Sequence, residues 1–151
     1  MSTVALSGTD TVIQDGIVQS GLADGDAVLV EFKEDLAKVK IGKEGNASIA
    51  LNQMGRMIEV TYRYIRGSTD DKAMNSRVQQ FISNTAGFVL GTAEYIKKVG
   101  DGTGNAASDT IVASSGVPSR QPNWKSNPEG DPEQGISVYK WTFAKAVRII
   151  T

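Results

Sequence analysis

The chain contains no cysteine and no histidine. Without cysteine there is no disulfide framework, no thiol nucleophile and no thiolate metal site. Without histidine the commonest general base and the commonest transition-metal ligand are missing, and with them any Ser-His-Asp arrangement. An enzyme of this composition would have to work through carboxylates, lysine, tyrosine or serine alone. Charge of one sign is not in excess either: 16 Lys and Arg stand against 17 Asp and Glu, scattered along the chain. A dedicated nucleic-acid binder needs clustered cations to neutralise phosphates, and that pattern is absent. No apolar run approaches the roughly 18 residues of a membrane span. Residues 1–10 lack the basic and apolar regions of a signal peptide, so synthesis and folding in a cytoplasm are expected.

What is present reads as one globular domain over 1–151. The 40% hydrophobic and 22% charged content suits a packed core within 151 residues. Residues 1–10 are small and polar and read as a flexible arm. Thr11 to Ser20, broken by Gly16, reads as a bulged strand or a short hairpin. After the turn Asp24-Gly25-Asp26, a β-branched run places Val28, Val30 and Phe32 on one face. Ser48 to Leu51 and Arg56 to Arg66 flank a turn at Asn52 to Gly55, a hairpin signal. Within the second run Ile58, Val60, Tyr62 and Tyr64 alternate with Glu59, Thr61 and Arg63, the pattern of a strand buried on one side. Ser68 is the expected helix N-cap, with Asp71 three residues on and Asp70 beside it, where the helix dipole favours negative charge. Met74, Val78, Phe81 and Ile82 then form one helical stripe.

Gly87 to Val99 reads as a strand distorted at Gly91. From Gly100 to Gly135 periodicity is lost. That stretch holds all four prolines, and it reads as a long surface loop with at most a short strand at Thr110 to Ala113. In Ile136 to Ile150 the residues Tyr139, Trp141, Phe143 and Val147 share a face. The sum is a mainly β, α+β fold: a barrel or sandwich of about six or seven strands with one flanking helix.

Lys33 to Asn46 is rich in charge, with Leu36, Val39 and Ile41 set between Lys38, Lys40 and Lys43. A solvated excursion is the plain reading. The sharper one is an arm that touches a neighbouring subunit through Leu36, Val39 and Ile41, with Lys38 and Lys40 beside them. Catalytic, cofactor and metal signals are weak throughout. Gly100 to Asn105 fits no phosphate-loop spacing. Asp101, Thr103 and Asn105 alternate like a calcium loop, yet Ala106 stands where glycine is required. Asp70 and Asp71 are explained by helix capping. No catalytic residue, cofactor or metal ligand is therefore expected. Trp124, in the proline-rich stretch, reads as an interface anchor. Together with Trp141 and the tyrosines it also leaves open a monomeric β-barrel module that binds a ligand or carbohydrate. A carboxylate-based enzyme ranks last, since no paired-carboxylate signal stands out.

Three stretches in order carry a resemblance: Asp10-Thr11-Val12-Ile13-Gln14-Asp15-Gly16 running on to Gly21-Leu22-Ala23-Asp24-Gly25-Asp26, then Phe32 to Asn46, then Arg66-Gly67-Ser68-Thr69-Asp70-Asp71-Lys72. This sequence resembles the tail tube proteins of contractile-tailed phages, with the first half of the chain carrying most of the likeness. The resemblance implies the fold of the type VI secretion tube protein and hexameric rings stacked into a hollow inner tube. It implies as partners further copies of the chain, the tail sheath protein, the tape measure protein, and the baseplate and tail terminator proteins. It further implies a lumen that passes DNA without specific binding, no membrane anchor, and a place in the tail of a virion assembled in the host bacterial cytoplasm. On this reading 33–46 and the N-terminal arm make ring-to-ring contacts and 100–135 faces the sheath.

Overall fold

Alternation of bulky apolar and polar residues makes this chain mainly β, with a single α-helix among the described residues. The computed structural model describes residues 3–151, so the first two residues of the expected N-terminal arm lie outside it. In chain order the elements are β1 (Ala5–Leu6), β2 (Thr11–Gln14), β3 (Ile17–Val18), β4 (Val28–Phe32), β5 (Ala37–Ile41), β6 (Ala47–Leu51), β7 (Ile58–Ile65), α1 (Thr69–Ser83), β8 (Gly91–Gly100), β9 (Ala106–Arg120) and β10 (Ile136–Ile150). The strand number exceeds the expected six or seven because short pieces and stretches read as loop are also strands. Eight strands form one antiparallel sheet in the order β3-β2-β8-β9-β10-β7-β4, with β1 added on β8, while β5 and β6 pair only with each other.

The large sheet curls on itself. The Tyr62 hydroxyl on β7 donates to Gln14 Oε1 on β2 at 2.6 Å and meets the Tyr95 hydroxyl on β8. Those strands are far apart in the sheet order, so its two wings face each other across the core. No ladder joins β3 to β4, which leaves a curled, sandwich-like sheet and not a closed barrel. Ile58, Val60, Tyr62 and Tyr64 from β7 fill the interior with Tyr139, Trp141 and Phe143 from β10, all at most 2% exposed. The sheet curls around these side chains, the largest that are fully buried, because removing their apolar surface from water stabilises the fold. The helix closes the core: Met74 and Val78 are buried, and Met74 sulfur accepts the Trp141 indole N–H at 2.9 Å. The expected stripe is shorter than four residues. Phe81 is half-buried, edge-on to Phe88 with centroids 5.2 Å apart, and Ile82 is exposed.

Three local expectations are corrected, and at 11–20 one of two alternatives is decided. Of the N-terminal arm, Ala5 and Leu6 are tied to the sheet against Gly100 and Val99. The segment 11–20 is a tight hairpin, because Asp15 and Gly16 both adopt positive φ (53° and 80°), the turn whose twist matches the flanking strands. The loop expected over 100–135 contains the 15-residue strand β9, and irregular chain is left at 101–105 and 121–131. Small residues of low strand propensity hid β9, but it is bonded on both sides, to β8 and β10, and that context overrides propensity. Pro118 is tolerated because it sits where the β9–β10 register shifts, between Lys140 and Trp141. In β10 the buried phase changes after Phe143: Ala146 points inward and Val147 outward. The change falls between the pairs Phe143–Gly116 and Lys145–Ser114, where Ser115 of β9 takes φ 57°.

Candidate assembly surface

The charge-rich stretch 33–46 runs through an exposed strand, and the pairing expected for Ser48 to Leu51 is corrected. That strand is half of a β-hairpin, β5 and β6, that stands off the body. Ser48 to Leu51 pairs backwards onto β5, not forwards onto β7 as the turn at Asn52 to Gly55 suggested. Opposed pairs are Ala37–Leu51, Val39–Ile49 and Ile41–Ala47, with Lys38–Ala50 and Lys40–Ser48 between them. Successive side chains in a strand point to opposite faces. One face of the hairpin is therefore wholly apolar, and the other carries both lysines.

Neither face is covered. Val39 is 59% exposed, Ile41 69%, Ile49 72% and Leu51 58%. A free two-stranded hairpin is only marginally stable in water, and a contiguous apolar patch on a protein surface usually marks an interaction site. The base is held firmly. Asn52 N donates to Leu36 O at 2.8 Å and Asn52 Nδ2 to Asp35 O at 2.7 Å. Gly55 packs so closely that an added Cβ would lie 2.6 Å from Asp35 O and from Leu36 Cα. At the tip Gly42 and Gly45 close the turn, with Gly45 at φ 87°.

The sequence-derived residues thus divide. Val39 and Ile41 share the apolar face, Lys38 and Lys40 the opposite face, and Leu36 lies exposed at the base. Ala47, Ile49 and Leu51 complete the apolar face and were missed. Their signal was present as two alternating runs, 37–41 and 47–51, about a Gly-Lys-Glu-Gly turn.

Ser68 and Asp71 lie elsewhere, at the helix entry. Ser68 Oγ accepts the Asp71 N–H at 3.2 Å. The Asp71 carboxylate accepts from Gly67 N at 2.8 Å, Ser137 Oγ at 3.1 Å and the Tyr139 hydroxyl at 2.7 Å. Asp70 accepts from the backbone of Ser20 and Gly21, both at 2.6 Å. Both acids act as clamps: Asp71 fixes α1 to β10, and Asp70 fixes it to the segment that follows β3. Among the described residues no group of three or more acids is placed to hold a metal ion.

The aromatic set behind the ligand-binding reading is dispersed. Trp141, Tyr62, Tyr64 and Tyr139 are enclosed in the core, whereas Trp124 is 79% exposed. Trp124 rides a loop braced by the Lys125–Asp131 ion pair at 2.6 Å and by Arg66 donating to Asn123 O at 3.3 Å. On the outer sheet face Glu59 bridges Lys33 at 3.2 Å and Lys140 at 3.3 Å. Partial burial pushes its carboxyl up, but the hydrogen bonds and charges of the two lysines together outweigh that and hold it below the ordinary value.

Neither a family profile nor a curated protein matches the sequence. Solved structures do match in shape. A chain of the sheath-tube complex of the extracellular contractile injection system PVC, in its extended state, superposes with a TM-score of 0.52 at 13% identity, over 94% of this chain and 87% of that one. A chain from the sheath/tube terminator of the same system superposes with a TM-score of 0.51 at 12% identity, over 96% and 94%. At such identities the likeness establishes the fold: over nearly its whole length this chain is folded like chains of a contractile injection system.

Proposed function

We propose that this chain is a structural subunit of a contractile tail or injection particle, and that it builds the inner tube. The observation that carries this reading is the β5–β6 hairpin, a firmly anchored apolar surface that none of the described residues covers. The likeness in fold to chains of the PVC sheath-tube complex supports it. Hexameric rings would pair the free edges of β3 and β4 between neighbours, and hairpins would join ring to ring. In that assembly the sheath surrounds the tube, the baseplate and terminator hold its ends, and the tape measure protein occupies the lumen until DNA passes. A chain of net charge −1 suits a conduit along which phosphates slide without sticking.

Negative-stain electron microscopy over a concentration series tests this. Rings that stack into hollow tubes are expected, and particles that stay monomeric up to the solubility limit would contradict the reading. The comparable likeness to a terminator chain favours a second reading, a ring that caps a tube. Closed rings that never stack at any concentration would select it.

A further inference from the structure

We infer that the cleft between the end of β9, the first residues of β10 and the segment 121–135 docks an acidic polypeptide segment of a partner protein, gripped by Arg66 and Arg120. The inference does not depend on the tube reading. The cleft lies past the end of β7 at Ile65, whereas the hairpin base lies by its start at Ile58, roughly 25 Å away at the rise of an extended strand.

Alternation along β10 builds the floor. Tyr139 and Trp141 point into the core, so Ile136, Val138 and Lys140 stand on the outer face. Lys140 lies opposite Arg120 at the end of β9. Like charges directly opposite on neighbouring strands repel, and an anion between them removes that repulsion. The wall is the segment 121–135, which Arg66 ties down. Its Nε donates to Gln134 O at 2.8 Å, and its Nη2 to Ile136 O at 3.1 Å and Asn123 O at 3.3 Å. Within the wall Asn127 N donates to Gln134 Oε1 at 2.9 Å, and Gln134 Nε2 donates to Asn127 O at 3.1 Å. The cleft is therefore preformed, with a volume of about 360 Å³.

Its cations outnumber the carboxylates that could neutralise them. Glu133 is the one acid of the lining, and it is turned to Arg63 at 3.2 Å. Lys125 is paired with Asp131 at 2.6 Å, and Lys140 at 3.3 Å shares Glu59 with Lys33. The Arg66 side chain meets only carbonyl oxygens. The Arg120 side chain is exposed, with no ion pair or hydrogen bond among the described residues. Two guanidinium groups are thus left without a carboxylate, and the planar arginine fork matches a carboxylate through two parallel hydrogen bonds.

A protein chain suits the cleft better than a nucleic acid. The side-chain amides of Gln121 and Asn123 offer donors and acceptors to a peptide backbone, and Ile136 and Val138 give a half-buried apolar floor. Glu133 and Asp131 stand against a continuous line of phosphates. The whole chain has net charge −1, so it holds no general attraction for a polyanion.

Titration with a labelled, capped oligoglutamate peptide, followed by fluorescence anisotropy, tests the site. Binding should saturate, weaken as salt rises, and fall about tenfold or more in Arg120→Ala, which loses one charge-assisted pair. That variant should melt at the temperature of the natural chain, since the side chain has no partner to lose. Lys43→Ala removes the same charge at the hairpin tip and should leave the affinity unchanged. Absence of saturable binding, an unchanged affinity in Arg120→Ala, or an equal loss in Lys43→Ala would overturn the site. So would oligothymidylate or inorganic phosphate binding as tightly as the peptide at equal salt, since the cleft would then select anions of any kind.

Discussion

Gly116→Ala should destabilise the protein, and Phe143→Leu should relieve the damage. Gly116 lies in β9 between Gly91 and Phe143, and a Cβ built on it falls 2.3 Å from Phe143 Cε1 and 2.5 Å from Cδ1. Carbon atoms in contact prefer about 3.5–4.0 Å, so the ring would have to retreat by more than about 1 Å. It has little room, since Trp141 stacks on it with centroids 6.0 Å apart and both side chains are fully enclosed. Overpacking of this kind costs about 1–3 kcal/mol. The reduced freedom of the unfolded chain returns about 0.4–1 kcal/mol, leaving a net loss of about 1–2 kcal/mol. Urea denaturation should show a lower midpoint with unchanged slope. Phe143→Leu alone should also destabilise, by leaving a cavity. Combined, the two changes should cost at least about 1 kcal/mol less than their sum, since the smaller side chain vacates the space that the new methyl needs. A neutral Gly116→Ala, or strict additivity, would refute the packing. It would also return 106–120 to the irregular loop that its composition suggests.

Other expectations follow from the same core. Burial is the largest cause raising each of Tyr62, Tyr64, Tyr95 and Tyr139 above the ordinary value of 10.0. A raised folded value stabilises the protein fully below pH 10 and loses that contribution as pH climbs through the folded values. Alkaline titration should therefore show tyrosinate absorbance appearing together with cooperative loss of circular dichroism, and gradual ionisation of a still-folded protein would contradict this. Asp71→Ala should cost about 3 kcal/mol in thermal or urea unfolding, since it strands the buried Tyr139 hydroxyl and loses Ser137 and Gly67 as partners. Glu59, held below its ordinary 4.5, contributes stability above that pH and loses it as pH falls through the folded value, so Glu59→Gln should flatten the acid limb of the stability curve.

The residues differ in how plainly they declared these roles. β7 was legible because Ile58, Val60, Tyr62 and Tyr64 are large, strictly alternating and all inward. The entry to α1 was legible because capping is a local interaction between Ser68 and Asp71. β9 was not, since its Ala, Ser, Gly and Pro residues carry no strand signal of their own and its place depends on being bonded on both sides, to β8 across the turn 101–105 and to β10 beyond the irregular 121–131. The phase change in β10 follows from Ser115 on the neighbouring strand and leaves no trace in β10 itself. For the assembly surface, Val39 and Ile41 stood out as apolar residues in a charged stretch. Ile49 and Leu51 were assigned to the wrong partner, because the turn at Asn52 to Gly55 resembles a hairpin loop while it in fact anchors the hairpin's base.

The claim that this apolar face drives self-association is tested most directly by sedimentation velocity over a concentration series, comparing the natural chain with Val39→Thr plus Ile49→Thr, a pair that keeps the cross-strand contact while making it polar. Both positions are exposed and make no contact with the core, so the variant should melt at the temperature of the natural chain. The account predicts that the natural chain shifts to fast-sedimenting species with rising concentration while the variant remains a monomer. A variant that keeps its fold and sediments like the natural chain at every concentration would contradict it.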